Sequence, residues 1–220
     1  MGHDPRVSHA GAGGILFDVA GESFELAKQH RLWALAENLA AQPIPGLRET
    51  VLGVNNMLLL VDPLVTHPGR VTEQLLRRWE EVEPVVRNSR EVEIGVQYGG
   101  EHGEDLEDIA THAGMSAAEV VEVHSGAVYT VACIGSMPGF PYLVGLPSQL
   151  HVPRRKVPRL KLPGGSVIIA GSQASVLPCE GPCGWHALGW ARVPLFDPEA
   201  AVPCLLAPGD RVRFRSESIE

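Results

Sequence analysis

Residues 129–185 combine prolines, glycines, arginines and aromatic residues in a way that neither a helix nor a regular strand can accommodate. The stretch contains the segments G-S-M-P-G-F-P-Y-L, P-R-R-K-V-P-R-L-K-L-P-G-G-S and G-P-C-G-W. Each proline fixes φ and removes a backbone donor, whereas glycine permits backbone angles and close approaches that other residues do not. The stretch therefore predicts shaped surface loops between short strands, and such loops carry binding sites more often than cores.

The first part of the chain predicts a small α+β domain. Hydrophobic periodicity indicates a strand at 14–20, a helix from residue 23 to the prolines at 43 and 45, a hairpin at 48–62 and a helix at 72–82. The order strand, helix, strand, strand, helix is typical of a two-layer ferredoxin-like domain. We expect residues 1–12 to be disordered and residues 13–85 to form this domain.

The second part predicts a domain made mostly of β-sheet, at 91–216, after a linker at 83–90. Residues 91–98 alternate apolar and polar, as a half-buried antiparallel strand does. Two short helices follow, and the second opens with Ser116 and Glu119 in a capping box. Short apolar runs separated by Pro/Gly loops then indicate a barrel or a sandwich.

The composition narrows the function classes. The formal net charge is -8, with 18 Lys+Arg against 26 Asp+Glu, which argues against a nucleic-acid or anionic-membrane partner. No apolar run reaches the roughly 20 residues that span a bilayer, and the start does not resemble a secretory signal, so we predict a cytoplasmic protein. A zinc site from Cys179, Cys183 and a histidine is weakly indicated, because no second ligand pair has metal spacing. We predict no metal.

Arginines and a Pro-Gly-Gly-Ser turn suggest an anion site. Two glycines in the turn that ends at Ser166 let backbone amides converge, and Arg154 and Arg159 can offer paired donors to a carboxylate, a carbamate or a phosphate. The alternative is a solvated basic loop beside a tight turn, which the residues alone favour. Walker, dinucleotide-binding, nucleophile-elbow and H-E-x-x-H patterns are all absent from the sequence.

Four other residues are candidates for a site. His124 can serve as a base or a carbonyl donor, or it can be a C-terminal helix histidine stabilised by the helix dipole. Phe140 and Tyr142 lie in a Pro/Gly loop, where large aromatics suit a groove or an interface. Gln173 can orient a planar amide or carboxylate, or simply belong to a polar hairpin turn.

Several segments together resemble the allophanate hydrolase subunit 1 family. They are H-S-G-A-x-Y-x-V at 124–131, P-G-F-x-Y-L at 138–143, P-R-x-x-x-P-R-x-x-x-P-x-G-S-V at 153–167, A-G-x-Q at 170–173 and L-F-D-P at 195–198. The resemblance implies a cyclophilin-like β-barrel after the small ferredoxin-like domain, in agreement with the α+β pattern read from the residues.

The resemblance also implies an activity. It suggests a subunit of an ATP-dependent amide or lactam hydrolase, of 5-oxoprolinase or allophanate hydrolase type, in which the complex uses ATP. The implied partners are a second, related subunit in a heterodimer or heterotetramer, a third lactam-utilisation subunit and a small-molecule amide substrate. Two alternatives remain open at this point: a non-catalytic regulator that binds and inhibits a histidine kinase, and a prolyl isomerase suggested by the barrel alone.

The matched positions give a set of expected site residues. By resemblance, His124, Arg159 and Ser166 are expected to be catalytic. The residues expected to bind substrate are Phe140, Tyr142, Arg154, Gly165 and Gln173. The chain departs from the family pattern at Ser136, Ala174, Leu177 and Cys183, several of which belong to the same loops.

Overall fold

The computed structural model describes residues 5–84 and 89–220. The chain divides into two compact units, Met1–Asn88 and Ser89–Glu220. The division falls at the expected linker, of which residues 85–88 lie outside the described residues, as do residues 1–4 of the expected disordered start. Each unit has its own apolar core.

The first unit is a four-stranded antiparallel sheet with two helices. Strands β2 (Gly14–Asp18) and β3 (Leu47–Leu52) both run antiparallel to β4 (Asn56–Val61), which lies between them. Helix α1 (Leu26–Ala41) connects β2 to β3. The sheet order is β1-β2-β4-β3. The elements are β1 Arg6–Ala10, β2 Gly14–Asp18, α1 Leu26–Ala41, β3 Leu47–Leu52, β4 Asn56–Val61 and α2 Pro68–Glu81.

Alternation along the central strands builds the core of the first unit. Ile15 and Phe17 of β2 are fully buried, and Met57 and Leu59 alternate in the same way along β4. The apolar stripes of both helices cover this face, and the Phe17 and Trp79 rings meet edge to face, 5.3 Å apart. The packing explains why the helical and strand periods are readable from the sequence.

Residues 6–10 correct the expectation of a disordered start. They form β1, which pairs in register with β2 from Arg6 opposite Asp18 to Ala10 opposite Gly14. Four of its five side chains are exposed, so β1 has no apolar alternation to reveal it. Backbone hydrogen bonds to β2 and the ion pair between Arg6 and Asp18, at 2.7 Å, hold it in place.

The second unit is a closed seven-stranded barrel with two helices and a separate two-stranded sheet. The elements are β5 Glu91–Tyr98, α3 Leu106–Ala113, α4 Ala117–Gly126, β6 Val128–Ile134, β7 Pro141–Val144, β8 Arg159–Leu162, β9 Ser166–Ala170, β10 Gln173–Val176, β11 Gly181–Cys183, β12 His186–Trp190 and β13 Arg211–Ile219. The barrel order is β10-β7-β6-β13-β5-β12-β9, and β8 pairs with β11 outside the barrel.

This architecture confirms the predicted fold class, with one difference in strand direction. β5 pairs antiparallel with β12, as its alternation predicts, but parallel with β13. Parallel pairing needs a long connection between the two strands, and here almost the whole unit lies between them. The final strand also continues past residue 216 to Ile219.

Strand β9 is buried on both faces, because a second apolar cluster lies outside the barrel. Val167 and Ile169 point into the barrel core, whereas Ile168 and Ala170 belong to a smaller cluster on the opposite face. The two-stranded β8–β11 sheet and its neighbouring loops cover that outer cluster, whose members are Phe140, Leu162, Ile168, Ala170, Leu177, Cys183, Trp185 and Ala187. The outer cluster lies directly beneath the candidate site.

Among the described residues, no helix is long and apolar enough to cross a membrane.

Candidate substrate-binding site

Three of the Pro/Gly loops meet at one cleft, which we call the Arg154 cleft. Its volume is about 220 Å³. The loops come from the β6–β7 connection, the segment before β8, and the two ends of β11. The lining residues are Ser136, Met137, Phe140, Tyr142, Arg154, Leu177, Pro182, Cys183, Gly184 and Trp185.

Three aromatic side chains form one side of the cleft. The ring centroids of Phe140 and Tyr142 are 5.0 Å apart, and both rings meet Trp185 edge to face, at 5.9 Å and 6.3 Å. Phe140 and Trp185 are buried in the outer apolar cluster, whereas Tyr142 is half-buried. Edge-to-face packing fixes the orientation of each ring. The cleft therefore has a rigid, apolar wall.

Arg154 is the single charged residue among the described residues that line the cleft. Its guanidinium carbon lies 5.8 Å from the Trp185 ring centroid, within cation–π range. Within the described ranges, no carboxylate forms an ion pair with this exposed side chain. Its donors are therefore available to an anionic group placed against the aromatic wall.

The other polar groups of the cleft are neutral. Burial raises the pKa of the Cys183 thiol, which accepts a hydrogen bond from the Trp185 amide at 3.4 Å. A protonated thiol is a poor nucleophile, so this cysteine shapes the cleft. Ser136 has a left-handed backbone with φ of 68°, in a turn where the Gly135 amide bonds to the Phe140 carbonyl. Residues other than glycine adopt such angles at a cost of roughly 1–3 kcal/mol.

Arg159, which is expected to be catalytic, does not line the Arg154 cleft. Its Nη1 donates to Asp105 Oδ2 at 2.7 Å, and its Nη2 donates to Glu104 Oε2 at 2.8 Å. The hydrogen bond that Arg159 donates to Asp105 raises the pKa of Arg159 above its ordinary value. The terminal nitrogens of the Arg159 guanidinium are therefore already paired with carboxylates, and Arg159 holds its segment to Glu104 and Asp105.

His124 also does not line the cleft: it lies on the buried face of α4, against the barrel core. Its side chain is fully buried, its ring stacks on Phe214 at 4.8 Å, and its Nδ1 is 2.8 Å from the Tyr98 hydroxyl. Burial lowers the pKa of His124 to about 3. The neutral imidazole is enclosed by the rings of Tyr98, Tyr129 and Phe214. The catalytic role of His124 stays a prediction.

The remaining expected residues lie around the cleft or face away from it. Ser166 is fully buried, and its hydroxyl donates to the Pro163 carbonyl at 2.8 Å, so it closes the turn. Gly165, with φ of 88°, lines a different cleft of about 440 Å³ beside Trp190. Gln173 begins β10 and does not line the Arg154 cleft. The structure thus unites Phe140, Tyr142 and Arg154 from the expected set.

The comparisons with known proteins agree with this architecture. Residues 5–206 match the family described as carboxyltransferase domain, subdomain C and D. The chain belongs to this carboxyltransferase-domain family. The B subunit of the 5-oxoprolinase of Escherichia coli O157:H7 is 46% identical to it over 189 residues, which make up 86% of each protein. The family resemblance inferred from the sequence is confirmed.

Solved structures show the same fold within longer chains. The crystal structure of TTHA0988 superposes with a TM-score of 0.79 at 36% identity, covering 92% of this chain but 39% of that one. The K. lactis urea amidolyase gives a TM-score of 0.85 at 20% identity over 98% of this chain and 15% of that one, which shows the fold alone.

The structural roles of three residues in or beside the Arg154 cleft are not evident from the sequence. The strand-like run that contains Trp185 favours a core position, whereas the structure places this residue both in the outer cluster and in the cleft wall. No motif contains Asp105, although it is 1% exposed and accepts hydrogen bonds from Arg155 and Arg159. The one signal for Asp105 is the acidic pair Glu104-Asp105, because acidic side chains are rarely buried unless a cation pairs with them. The basic residues that pair with it lie far along the chain. Ser136 departs from the family pattern, and its left-handed backbone is not evident from the residues.

Proposed function

We propose that this chain is a subunit of an ATP-dependent hydrolase of 5-oxoprolinase type and that its Arg154 cleft binds the carboxylate of the lactam. The observation that carries the proposal is a guanidinium with no ion pair in the described chain, held over an aromatic wall, in a protein 46% identical to the B subunit of a 5-oxoprolinase. A five-membered lactam with one carboxylate presents a flat ring to the wall and an anion to the arginine. Its size is compatible with a cleft of about 220 Å³.

The cleft lining supports a composite site. Lactam opening requires groups that activate the ring carbonyl and transfer protons. Arg154 and neutral groups line the cleft, and its described lining includes no His, Asp, Glu or Lys. The groups that move protons, and those that handle ATP, would therefore come from other subunits. A second, related subunit, covering the open side of the cleft, fits this requirement, with a third lactam-utilisation protein in the complex.

The proposal is tested by assaying the reaction of the assembled complex and by removing the charge of Arg154. Co-expression with the second and third subunits should give ATP-dependent conversion of 5-oxoproline to glutamate. Arg154→Gln should raise KM for 5-oxoproline by about 10- to 100-fold, the equivalent of one charge-assisted hydrogen bond. Lys156→Gln makes the same charge change two residues along the loop and should leave KM unchanged.

Two results would overturn the proposal. An assembled complex that never forms glutamate would remove the assignment of the reaction. An active complex in which Arg154→Gln and Lys156→Gln behave alike would show that the Arg154 cleft does not bind the carboxylate.

A further inference from the structure

Asp105 connects two separate walls of the Arg154 cleft, although it does not line the cleft. Its carboxylate accepts hydrogen bonds from Arg155 Nη1, from Arg159 Nη1 at 2.7 Å and from the Ala187 amide at 2.7 Å. Arg155 belongs to the loop that carries Arg154, and Arg159 begins β8 at the end of that loop. Ala187 belongs to β12, which begins directly after Trp185. One buried carboxylate therefore ties the cationic wall to the aromatic wall.

The Asp105 carboxylate stays ionised beside Arg155 and Arg159. Burial opposes ionisation of Asp105, but the hydrogen bonds from Arg159 and the Ala187 amide, with the charges of Arg159 and Arg155, hold its pKa below its usual value. A buried carboxylate with this many donors is an anchor with little freedom. Arg155 and Arg159 both follow Arg154 within five residues, so the anchor holds the loop close to it.

The backbone beside Arg154 is fixed in the same way. The Arg155 amide donates to the Gly184 carbonyl at 2.9 Å, and His186 Nε2 lies 3.0 Å from the Pro153 carbonyl. The residues directly before and after Arg154 are thus bonded to the segment that flanks Trp185. Arg154 itself projects over Trp185 without an ion pair in the described part of the chain.

We propose that Asp105 is a positioning residue, which sets the place of Arg154 over Trp185 and with it the anion-binding geometry of the cleft. The structural part of this proposal stands by itself, and only the identity of the anion rests on the proposed function. Without Asp105 the loop keeps its two hydrogen bonds to the segment around Trp185, but it loses the ion pairs that fix Arg155 and Arg159 against β12. A displacement on the order of 1 Å can cost up to about 100-fold in a site of this kind.

The first test is structural and needs no substrate. Crystal structures of Asp105→Asn and Glu104→Gln should be compared with the unsubstituted chain. In Asp105→Asn, Arg154 should be displaced from Trp185 or lose its defined position, although asparagine keeps an acceptor for the Ala187 amide. Glu104→Gln is the matched control, because Glu104 also pairs with Arg159 but is largely exposed. Its structure should retain the contact. An Asp105→Asn crystal with Arg154 still in place would overturn the proposal.

The second test is a double-mutant cycle in the assembled complex. Asp105→Asn should raise KM for 5-oxoproline, by no more than Arg154→Gln does, with a much smaller change in kcat. In the Arg154→Gln background, Asp105→Asn should have no further effect on KM, because the residue it positions is gone. Additive effects would show that Asp105 acts only through general stability and would overturn the proposal. A complex without activity would count against the proposed function, while the structural test would still decide the role of Asp105.

A third variant covers the case in which Asp105→Asn does not fold. Arg155→Lys keeps the charge but loses the planar fork that reaches the carboxylate. We expect Arg155→Lys to displace Arg154 less than Asp105→Asn does. Its effect on KM should also be smaller and should again disappear in the Arg154→Gln background. A folded Arg155→Lys protein with Arg154 in its original position and an unchanged KM would contradict the anchor.

Discussion

Arg154 lies in the loop before β8 and Arg159 is the first residue of β8, yet their chemical situations are opposite. Arg159 gives its donors to Asp105 and Glu104, whereas Arg154 extends over Trp185 without an ion pair in the described residues. The sequence marks both as anion-binding candidates, because an arginine in a Pro/Gly loop looks the same whether or not a carboxylate faces it. The carboxylate that separates their roles lies about fifty residues earlier, and local pattern cannot reveal it.

The burial of His124 makes the folding stability of the protein depend on pH. Its pKa is about 3 when folded, against an ordinary value of 6.5, so the unfolded chain binds the proton more readily. The stability it contributes is fully present above about pH 6.5 and is lost as pH falls towards 3. Each pH unit in this window is worth about 1.4 kcal/mol, so roughly 2 kcal/mol should be lost between pH 7 and pH 5.

The measurement is denaturant unfolding at both pH values. His124→Gln keeps a partner for the Tyr98 hydroxyl and removes the titration, so this variant should lose less stability on acidification than the unsubstituted chain. His112→Gln removes an exposed histidine and should retain the full acid loss. Equal acid sensitivity in all three proteins would contradict the assigned burial of a neutral His124.

The β3–β4 turn shows how an element depends on one polar residue. Asn55 is 1% exposed and has φ of 54°, which asparagine tolerates better than most residues. Its side chain accepts from the Glu25 amide at 2.8 Å, and its own backbone amide donates to Gln29 Oε1 at 2.7 Å. The turn therefore fixes the start of α1 as well as the hairpin. The sequence predicts the turn from its conformational preference, but not this bond to the helix.

Two substitutions at Asn55 separate conformation from bonding. Asn55→Gly keeps the positive φ and loses the side-chain bonds, whereas Asn55→Ala loses both. We expect both to destabilise the first unit, by about 1–3 kcal/mol for the bonds, and the alanine variant by roughly a further 1 kcal/mol. Urea unfolding followed by circular dichroism measures the difference. An alanine variant as stable as the glycine variant would show that the backbone angle contributes little.

At the scale of the whole molecule, each apolar cluster of the described residues lies within one unit. Every member of the barrel core and of the outer cluster belongs to the second unit, and the remaining cluster belongs to the first. This is why fold class is predictable: strand and helix periods are local, and each unit closes on its own residues. The site is less predictable, because the cleft joins loops whose spacing depends on barrel closure.

Residues 89–220 should accordingly fold when expressed alone. The isolated barrel should unfold cooperatively and keep its amide protection in β5, β9 and β12, which hydrogen exchange can follow. Residues 89–200, which lack β13, provide the control and should not fold. A barrel that is folded only as part of the full chain would show that the first unit contributes to its stability.

The neighbours of β5 impose an order on biosynthesis. β5 is the first strand of the barrel to be made, yet among the described strands its partners are β12 and β13, the last two. During translation its alternating apolar face and both edges remain without these partners until on the order of a hundred further residues have been added. Open edges of this kind attract other chains. The growing polypeptide therefore passes through a long interval in which it is exposed to aggregation, and release of its last strand from the ribosome ends that interval.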